Sequence, residues 1–384
     1  MAVASPAEHT KTVPSAAPKR DWWRPYFWTG MNAGGWWRLL YRNHFRVGWR
    51  QAHVGAAICV WSLLNSFMGL VQRALFYDWR ARRTPIEHPP IFVLGHWRSG
   101  TTLLHEMLVL DERHTSPSTY ACLAPSHFLA TEKFARRWLN FLLPTHRPMD
   151  NMPTGWDRPQ EEEFALCNLG LPSPYLTIAF PNEPPADPEY LTLEGLSNEA
   201  LDRWKQGLLN FLRQVTYRTP KRLVLKSPPH TSRIKTLLEM FPDARFVHIV
   251  RDPVTLYNST HKLWHALYVD QGLQTPRFEG LDEFILSTLE RMYDKFERDR
   301  PLLAPHHFCE VRYEDLVRNP AGELKNVYDS LELGGFEELR PKLDEYMASM
   351  TGYQTNRYAQ TPVELRERIS QRWGRFFRRF GYDA

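Results

Sequence analysis

From residue 88 onward, short apolar runs alternate with longer segments whose apolar residues recur every three or four positions. The short runs predict buried strands, and the longer segments predict amphipathic helices over residues 101–110, 232–241 and 254–268. Strands that alternate with helices predict an α/β fold with a P-loop-type parallel sheet flanked by helices. The predicted strands lie in the segments HPPIFVLG, KRLVLKSPPH, ARFVHIVRDP and HHFCEVR.

The first fifty residues differ from the rest of the chain in composition. Residues 1–20 are rich in Ala, Pro and Ser without an apolar block, which predicts a disordered tail and excludes a signal peptide. Tryptophans and arginines interleave over residues 21–50. Arginines recur there every four residues, which predicts a basic stripe along one helix face. They are Arg38, Arg42, Arg46 and Arg50.

Residues 54–71, VGAAICVWSLLNSFMGLV, form an uncharged segment of eighteen residues. This length is at the lower limit for a helix that spans a bilayer. Ser62, Asn65 and Ser66 weaken the case for a membrane helix. We therefore expect a helix packed on the soluble core. The alternatives are an interfacial helix, with its tryptophans at the level of the lipid headgroups, and a true transmembrane span.

Composition and charge narrow the class of ligand. The 384 residues have a net charge of +5, which suits an anionic ligand but is too weak to indicate nucleic acid. The four cysteines are far apart and no HExxH pair occurs, so we predict no disulfide framework and no metal site. A reducing, cytoplasmic location is the simplest interpretation. We divide the chain into a tail (1–20), an added helical N-terminal region (21–85) and an α/β domain (86–384).

The segment from Gly95 to Thr102, GHWRSGTT, has the spacing of a phosphate-binding loop. Its glycines let backbone N–H groups turn inward, and the helix that follows points its positive end at a phosphate. The position of the Walker lysine is Thr101, and the loop cation is Arg98 instead. No clear magnesium-binding Walker B aspartate is present, which disfavours a metal-dependent nucleoside triphosphatase. The alternative is a strand-to-helix turn that binds nothing.

A second anion site is predicted at the end of another strand, in FVHIVRDPVTLYNS. Arg251 follows the strand directly, at the edge where open α/β sheets bind ligands. Its guanidinium can hold a phosphate with two hydrogen bonds, and Ser259 on the following helix can donate to the same group. Two such sites imply a bis-phosphorylated nucleotide. The alternative is a surface ion pair between Arg251 and Asp252.

Together these motifs resemble those of the PAPS-dependent sulfotransferase superfamily, over roughly residues 90 to 330. The residues of these motifs, including the segment PQEEEFAL, are more similar to the bacterial-type and tyrosylprotein branches of the superfamily than to its cytosolic phenol branch. The resemblance implies a 5′-phosphosulfate loop, a 3′-phosphate pair, a tyrosine near the adenine and a lysine at the transferring group. The matching residues are Arg98, Ser99, Gly100, Thr101 and Thr102, then Arg251 and Ser259, then Tyr313, and finally Lys226.

The resemblance implies in-line, metal-independent transfer of a sulfuryl group from PAPS to a hydroxyl or amine acceptor. Two positions depart from the cytosolic pattern. Pro228 stands where cytosolic members have a base histidine, and Leu103 stands where they stack the adenine on a tryptophan. Neither the base nor the adenine clamp therefore carries over from that branch.

The missing base leaves three candidates. Glu161 and Glu163 open a predicted helix, where acidic residues also occur simply to favour the helix N-terminus. Burial and crowding of like charges can raise a glutamate pKa into a range useful for a base. His230 lies four residues after Lys226 and is the third candidate. We favour the two glutamates.

Two other functions remain open from the sequence. One is a P-loop kinase of a small molecule, which needs the lysine and magnesium ligands that we do not find. The other is a non-catalytic, membrane-associated nucleotide-binding protein, favoured by possible peripheral membrane contact through residues 21–75. The acceptor is predicted only by class: a small molecule, a carbohydrate or a lipid, with no nucleic acid partner.

Overall fold

A parallel five-stranded sheet forms the centre of the protein, with the strand order β2-β3-β1-β4-β5. The computed structural model describes residues 25–75, 77–138, 155–350 and 361–383. All four predicted strands and the predicted α/β fold are confirmed. The strands are β1 (Ile91–Leu94), β2 (His114–Thr115), β3 (Arg222–Lys226), β4 (Arg245–Val250) and β5 (Phe308–Arg312).

Helices cover both faces of this sheet, as the alternation of patterns predicted. They are α1 (Ala33–Arg42), α2 (Ala52–Ala74), α3 (Tyr77–Arg82), α4 (Thr101–Val109), α5 (Thr119–Leu123), α6 (Phe128–Trp138), α7 (Glu162–Asn168), α8 (Asn198–Arg218), α9 (Ile234–Met240), α10 (Pro253–Gln271), α11 (Leu281–Asp299), α12 (Tyr313–Arg318), α13 (Pro320–Ser330), α14 (Phe336–Ser349) and α15 (Val363–Phe380). Short 3-10 helices lie between these elements or before them, including Phe27–Gly30 before α1 and Pro228–Ser232 between β3 and α9.

Strand β1 lies between β3 and β4 and has no exposed side chain. Because side chains of a strand alternate between the two faces, Phe92 and Leu94 enter one hydrophobic core while Ile91 and Val93 enter the other. This is the pattern of a strand covered by helices on both sides, and it explains the continuous apolar run in the sequence.

The edge strand β2 was not predicted. It consists of His114 and Thr115 only, paired with Arg222 and Leu223 of β3. Two residues give no periodic pattern, so the sequence carries no signal for this strand.

The N-terminal region packs into the same hydrophobic core as one face of the sheet. Trp28 and Trp36 are fully buried there, and the Trp28 indole N–H donates to the carbonyl of Gln271 at 2.9 Å. The tail predicted at residues 1–20 lies outside the described residues. The segment from residue 27 to residue 75 therefore shares its hydrophobic core with one face of the sheet.

The predicted basic stripe is wrong beyond Arg42. Helix α1 ends there, and His44 and Phe45 adopt φ values of 51° and 56°, which no helix accommodates. Arg46 and Arg50 consequently lie outside α1, and the four-residue spacing of the arginines does not place them on one face.

Helix α2 packs on the protein, as expected, but through one side only. The continuous helical segment Trp49–Ala74 is long and apolar enough to cross a membrane by length and composition, and only one third of its apolar window is buried. Ser62 and Asn65, which weakened the membrane interpretation, belong to its buried side.

Candidate active site

The loop between β1 and α4 has the backbone of a phosphate cradle. Gly95 and Gly100 adopt φ values of 147° and 106°, and Arg98 at the tip is also left-handed, with φ of 70°. A Cβ at Gly100 would lie 2.4 Å from Cδ2 of Tyr313, so no other residue fits there. The glycines predicted from the loop spacing are therefore required by the geometry.

Hydrogen bonds hold the loop from inside and from two neighbouring elements. The Ser99 hydroxyl donates to the carbonyl of His96 at 2.8 Å, and the Gly95 N–H donates to Thr231 Oγ1 at 2.8 Å. From α10, the Thr260 hydroxyl donates to the carbonyl of Trp97 at 3.2 Å. These contacts fix the direction of the backbone before any ligand arrives.

The structure brings the two predicted anion sites together. Arg98 Nε donates to the hydroxyl of Ser259 at 3.0 Å, and Arg251 Nη1 donates to the carbonyl of Arg98 at 3.0 Å. The Arg251 guanidinium lies 4.3 Å from the ring centre of Tyr313, within the range of a cation–π contact. Both arginines and this tyrosine thus share one edge of the sheet.

Lys226 is the last residue of β3 and is almost fully buried. The strand register places it beside Val93, two residues before the phosphate loop. Its Nζ forms an ion pair of 2.5 Å with Oε1 of Glu161, whose side chain is 15% exposed. Glu161 is the residue directly before α7, so a cation and a carboxylate meet at the open end of the strand.

Aromatic residues surround this ion pair. The Tyr175 hydroxyl donates to Oε2 of Glu161, and the Trp97 indole N–H donates to the same tyrosine oxygen at 3.1 Å. Tyr175 lies in the LPSPY loop, and nothing in the sequence relates it to Glu161, so it was missed. Trp97 could have been noticed, because it lies within the phosphate loop itself.

The neighbouring glutamates of α7 have different surroundings. Glu163 is fully buried and paired with Arg233 through 2.7 and 3.1 Å contacts, and it accepts a third hydrogen bond, of 2.6 Å, from Ser173. Glu162 is equally buried, and its Oε1 lies 2.5 Å from Nε2 of His230. Neither pair reaches solvent.

Electrostatics separates these carboxylates further. Burial alone would raise the pKa of Glu162, but the charge of His230 and hydrogen bonding outweigh burial and keep that pKa below its usual value.

In the phosphate loop, burial lowers the pKa of His96 to about 4, so this imidazole is neutral at physiological pH. Among the described residues, no group of three or more His, Cys, Asp or Glu side chains is arranged to hold a metal ion.

A sequence profile of the sulfotransferase family matches residues 89–338, well over half of the chain. The chain belongs to the sulfotransferase family. The sulfotransferase is 49% identical to the omega-hydroxy-beta-dihydromenaquinone-9 sulfotransferase Stf3 of Mycobacterium bovis, over 95% of this chain and 93% of Stf3. Stf3 of Mycobacterium tuberculosis matches to the same extent. The predicted sulfotransferase activity is thereby confirmed, and a kinase is not supported.

Solved structures agree with this sulfotransferase at the level of the fold. Sulfotransferase STF9 from Mycobacterium avium superposes with a TM-score of 0.59 at 20% identity, over 81% of this chain and 82% of STF9. Sulfotransferase STF1 from Mycobacterium tuberculosis has a TM-score of 0.56 at 20% identity, covering 82% and 86% of the two chains.

The buried pair beneath the site gives a stability prediction. Arg233→Met removes the only cation bonded to Glu163 among the described residues and leaves a buried, uncompensated carboxylate. We expect the free energy of unfolding of the sulfotransferase to fall by about 3–5 kcal/mol, measured by urea denaturation. The control is Lys325→Met, which removes an exposed ion pair with Asp329. Equal effects from the two variants would contradict a structural role for the Arg233–Glu163 pair.

Proposed function

We propose that this sulfotransferase moves the sulfuryl group of PAPS to the hydroxyl of a lipid-like small molecule. The observation that carries the proposal is the shared edge of the sheet where the phosphate loop, Arg251 and the Lys226–Glu161 pair meet. Two separate anion-binding groups fit a nucleotide with phosphates at both its 3′ and 5′ ends.

The residues present fit the donor by chemistry. The loop from Gly95 to Thr102 offers backbone N–H groups and the N-terminus of α4 to the 5′-phosphosulfate. Arg251 and Ser259 would hold the 3′-phosphate, and the ring of Tyr313, which lies against Arg251, would lie near the adenine. Tyr313 also closes over Gly100, so a single side chain joins the two halves of the nucleotide site.

Among the three base candidates, the geometry supports Glu161. Its carboxylate is partly exposed beside Lys226, whereas Glu163 is held by Arg233 and His230 is enclosed with Glu162. A base must reach the proton that it removes, and only Glu161 faces the open end of β3. Glu163 and His230 are better explained as supports that fix the start of α7.

The proposed step is an in-line displacement at sulfur. Glu161 takes the proton of the acceptor hydroxyl as its oxygen bonds to sulfur, while the bond from sulfur to the 5′-phosphate oxygen breaks. Lys226 and Arg98 provide positive charge for the sulfuryl oxygens and the departing phosphate. The products are the sulfate ester and 3′-phosphoadenosine 5′-phosphate (PAP), and none of these residues requires a metal for its role.

An apolar acceptor is supported by the buried aromatic side chains packed next to Glu161. Trp97 packs against Trp264 and Tyr175, with ring centres 5.8 and 5.9 Å apart, and Phe164 lies 5.1 Å from Tyr175. The relative Stf3 is named for a hydroxylated menaquinone derivative. A lipid-like alcohol is therefore preferred here to a carbohydrate. A cytoplasmic location with peripheral membrane contact through residues 21–75 is proposed as well, independently of the donor and the acceptor.

Glu161→Gln tests the base. We expect turnover to fall by about 10² or more, since general-base catalysis contributes this order, while PAP still binds. Turnover is measured with labelled PAPS and a long-chain alcohol, and binding by calorimetry. The control is Glu239→Gln, an exposed glutamate paired with Lys205. Full turnover in Glu161→Gln would sink the assignment.

Tyr175→Phe tests a positioning role. The variant removes the hydroxyl between Trp97 and Glu161 and keeps the ring, so the carboxylate loses one of its two partners. We expect turnover to fall about tenfold, as for a lost hydrogen bond of about 1.4 kcal/mol, with unchanged affinity for PAP. If Tyr175 were only structural, melting temperature and PAP affinity would decline together.

Arg251→Met tests the two-phosphate site. Loss of the guanidinium should weaken PAP binding by about tenfold or more, because charge-assisted hydrogen bonds contribute about 1.5–3 kcal/mol each. Adenosine 5′-phosphate, which lacks the 3′-phosphate, should bind equally to both proteins. Exposed Arg340 provides the matched control, Arg340→Met. Tight binding of ATP with Mg²⁺ but not of PAP would refute the proposed donor.

A further inference from the structure

Helix α2 has the reverse of the polarity expected for a surface helix. Helices of soluble proteins turn their apolar side to the core and their polar side to water. Here the side chains that face the protein include Ser62, Asn65 and Gln72. Those that face outward form what we call the apolar face: Val60, Trp61, Leu63, Leu64, Phe67 and Leu70, each more than 40% exposed.

The buried polar residues fasten α2 to the protein in this orientation. Asn65 Nδ2 donates to the carbonyls of Thr29 and Met31 at 2.8 and 3.1 Å. The Ala33 N–H donates to the hydroxyl of Ser66 at 2.9 Å, which ties α2 to the start of α1. Rotation of the helix to bury the apolar face would break these bonds and leave the carbonyls of Thr29 and Met31 without this donor, so the hydrogen bonds favour exposure of the apolar face.

The attachment also decides between an interfacial and a spanning helix. Buried residues recur from Val54 to Gln72, so α2 is held along about 27 Å of its length. A span would draw the packed helices and their charged surfaces into the hydrocarbon. The helix can therefore present only one side to lipid, lying parallel to the bilayer surface.

The surroundings of the apolar face are strongly basic. Residues 25–83 contain eight arginines and one acidic residue, Asp78, which leaves the rest of the chain with a net charge of −2. Arg42 and Arg46 are neutralised by Asp187 and Glu183. Other arginines of this region are exposed at both ends of α2: Arg50 at one end, and Arg80, Arg82 and Arg83 in and after α3 at the other.

Exposed tryptophans accompany these arginines. Trp49 is 82% exposed at the beginning of the helical segment, and the Arg50 guanidinium lies 5.2 Å from its ring. At the other end, Arg83 lies 4.1 Å from the ring of Trp79. Tryptophan and arginine around an apolar stretch are the side chains that settle at the headgroup level of a bilayer.

We propose that the apolar face of α2 docks this protein on an anionic phospholipid bilayer. Leucine, phenylalanine and tryptophan side chains enter the outer part of the hydrocarbon, and the arginines at either end contact lipid phosphates. A second copy of this chain fits the same face less well. A symmetric contact would bring two sets of arginines together, and their repulsion opposes it.

A short chain of contacts links α2 to the candidate active site. Thr29, which accepts a hydrogen bond from Asn65 of α2, belongs to the same 3-10 turn as Phe27. Phe27 packs on Phe164 at 4.4 Å, and Phe164 packs on Tyr175, the partner of Glu161. This short chain of contacts joins the buried side of α2 to the acceptor side of the site. The delivery of a lipid-like acceptor rests on the proposed function, whereas the docking does not.

The test is flotation of the full chain with vesicles, either of phosphatidylcholine alone or containing phosphatidylglycerol at about one third. We expect flotation with the anionic vesicles and at least about tenfold less bound protein with the neutral ones, because the arginines add attraction to anionic lipid. The double variant Leu64→Glu/Phe67→Glu should lose binding by a similar factor. Leu302→Glu, at a leucine outside this region that is 54% exposed, should float like the wild type.

Three readouts separate the possible failures. The double variant should still bind PAP in calorimetry and keep its melting temperature, since neither side chain belongs to the nucleotide site. Absence of wild-type flotation, or equal flotation of the double variant, would overturn the docking proposal. A wild-type dimer that the double variant converts to a monomer, without flotation, would assign the face to self-association and also overturn it. Loss of PAP binding by the wild type would instead count against the proposed donor.

Discussion

The parallel pairing of β1 between β3 and β4 is the constraint on which the site depends. Parallel strands end at the same edge of a sheet, so residues far apart in the sequence meet there. Lys226 ends β3, Arg251 follows β4 and Tyr313 follows β5, while the phosphate loop follows β1. The order of these strands, more than any one side chain, places a lysine beside a phosphate cradle.

Within this frame, three consecutive glutamates have three different environments. Successive residues at a helix start point in different directions, so Glu161 faces the edge of the sheet while the next two enter the core. Both buried carboxylates have a neighbour from the segment after β3: the His230 imidazole lies 2.5 Å from Glu162, and the Arg233 guanidinium pairs with Glu163. These buried contacts attach α7 to the segment that directly follows Lys226 in the chain. The attachment keeps Glu161, at the start of α7, beside the lysine.

The sequence predicts the parts of the site that are local and leaves out those that are distant. Strand ends, the glycine spacing and the Arg251–Ser259 interval are short-range patterns, and the structure contains them where they were expected. The partners of Glu161, Glu162 and Glu163 come from segments 10 to 70 residues away. No pattern within a window of residues encodes such a partner, so the choice among three adjacent carboxylates required the fold. The two-residue strand β2 was not predicted for a related reason: it is defined only by its pairing with β3, which is distant in the sequence.

Helix α2 shows the same limit in another form. Counting Ser62, Asn65 and Ser66 as evidence against a membrane helix considers only how many polar residues the segment has. What matters is which side of the helix they occupy. Asn65 and Ser66 form hydrogen bonds with Thr29, Met31 and Ala33 on the side that faces the protein. The outward side of the helix is therefore more apolar than the segment as a whole. A core helix and a lipid-facing helix can therefore have the same composition. They differ in which side of the helix packs against the rest of the protein.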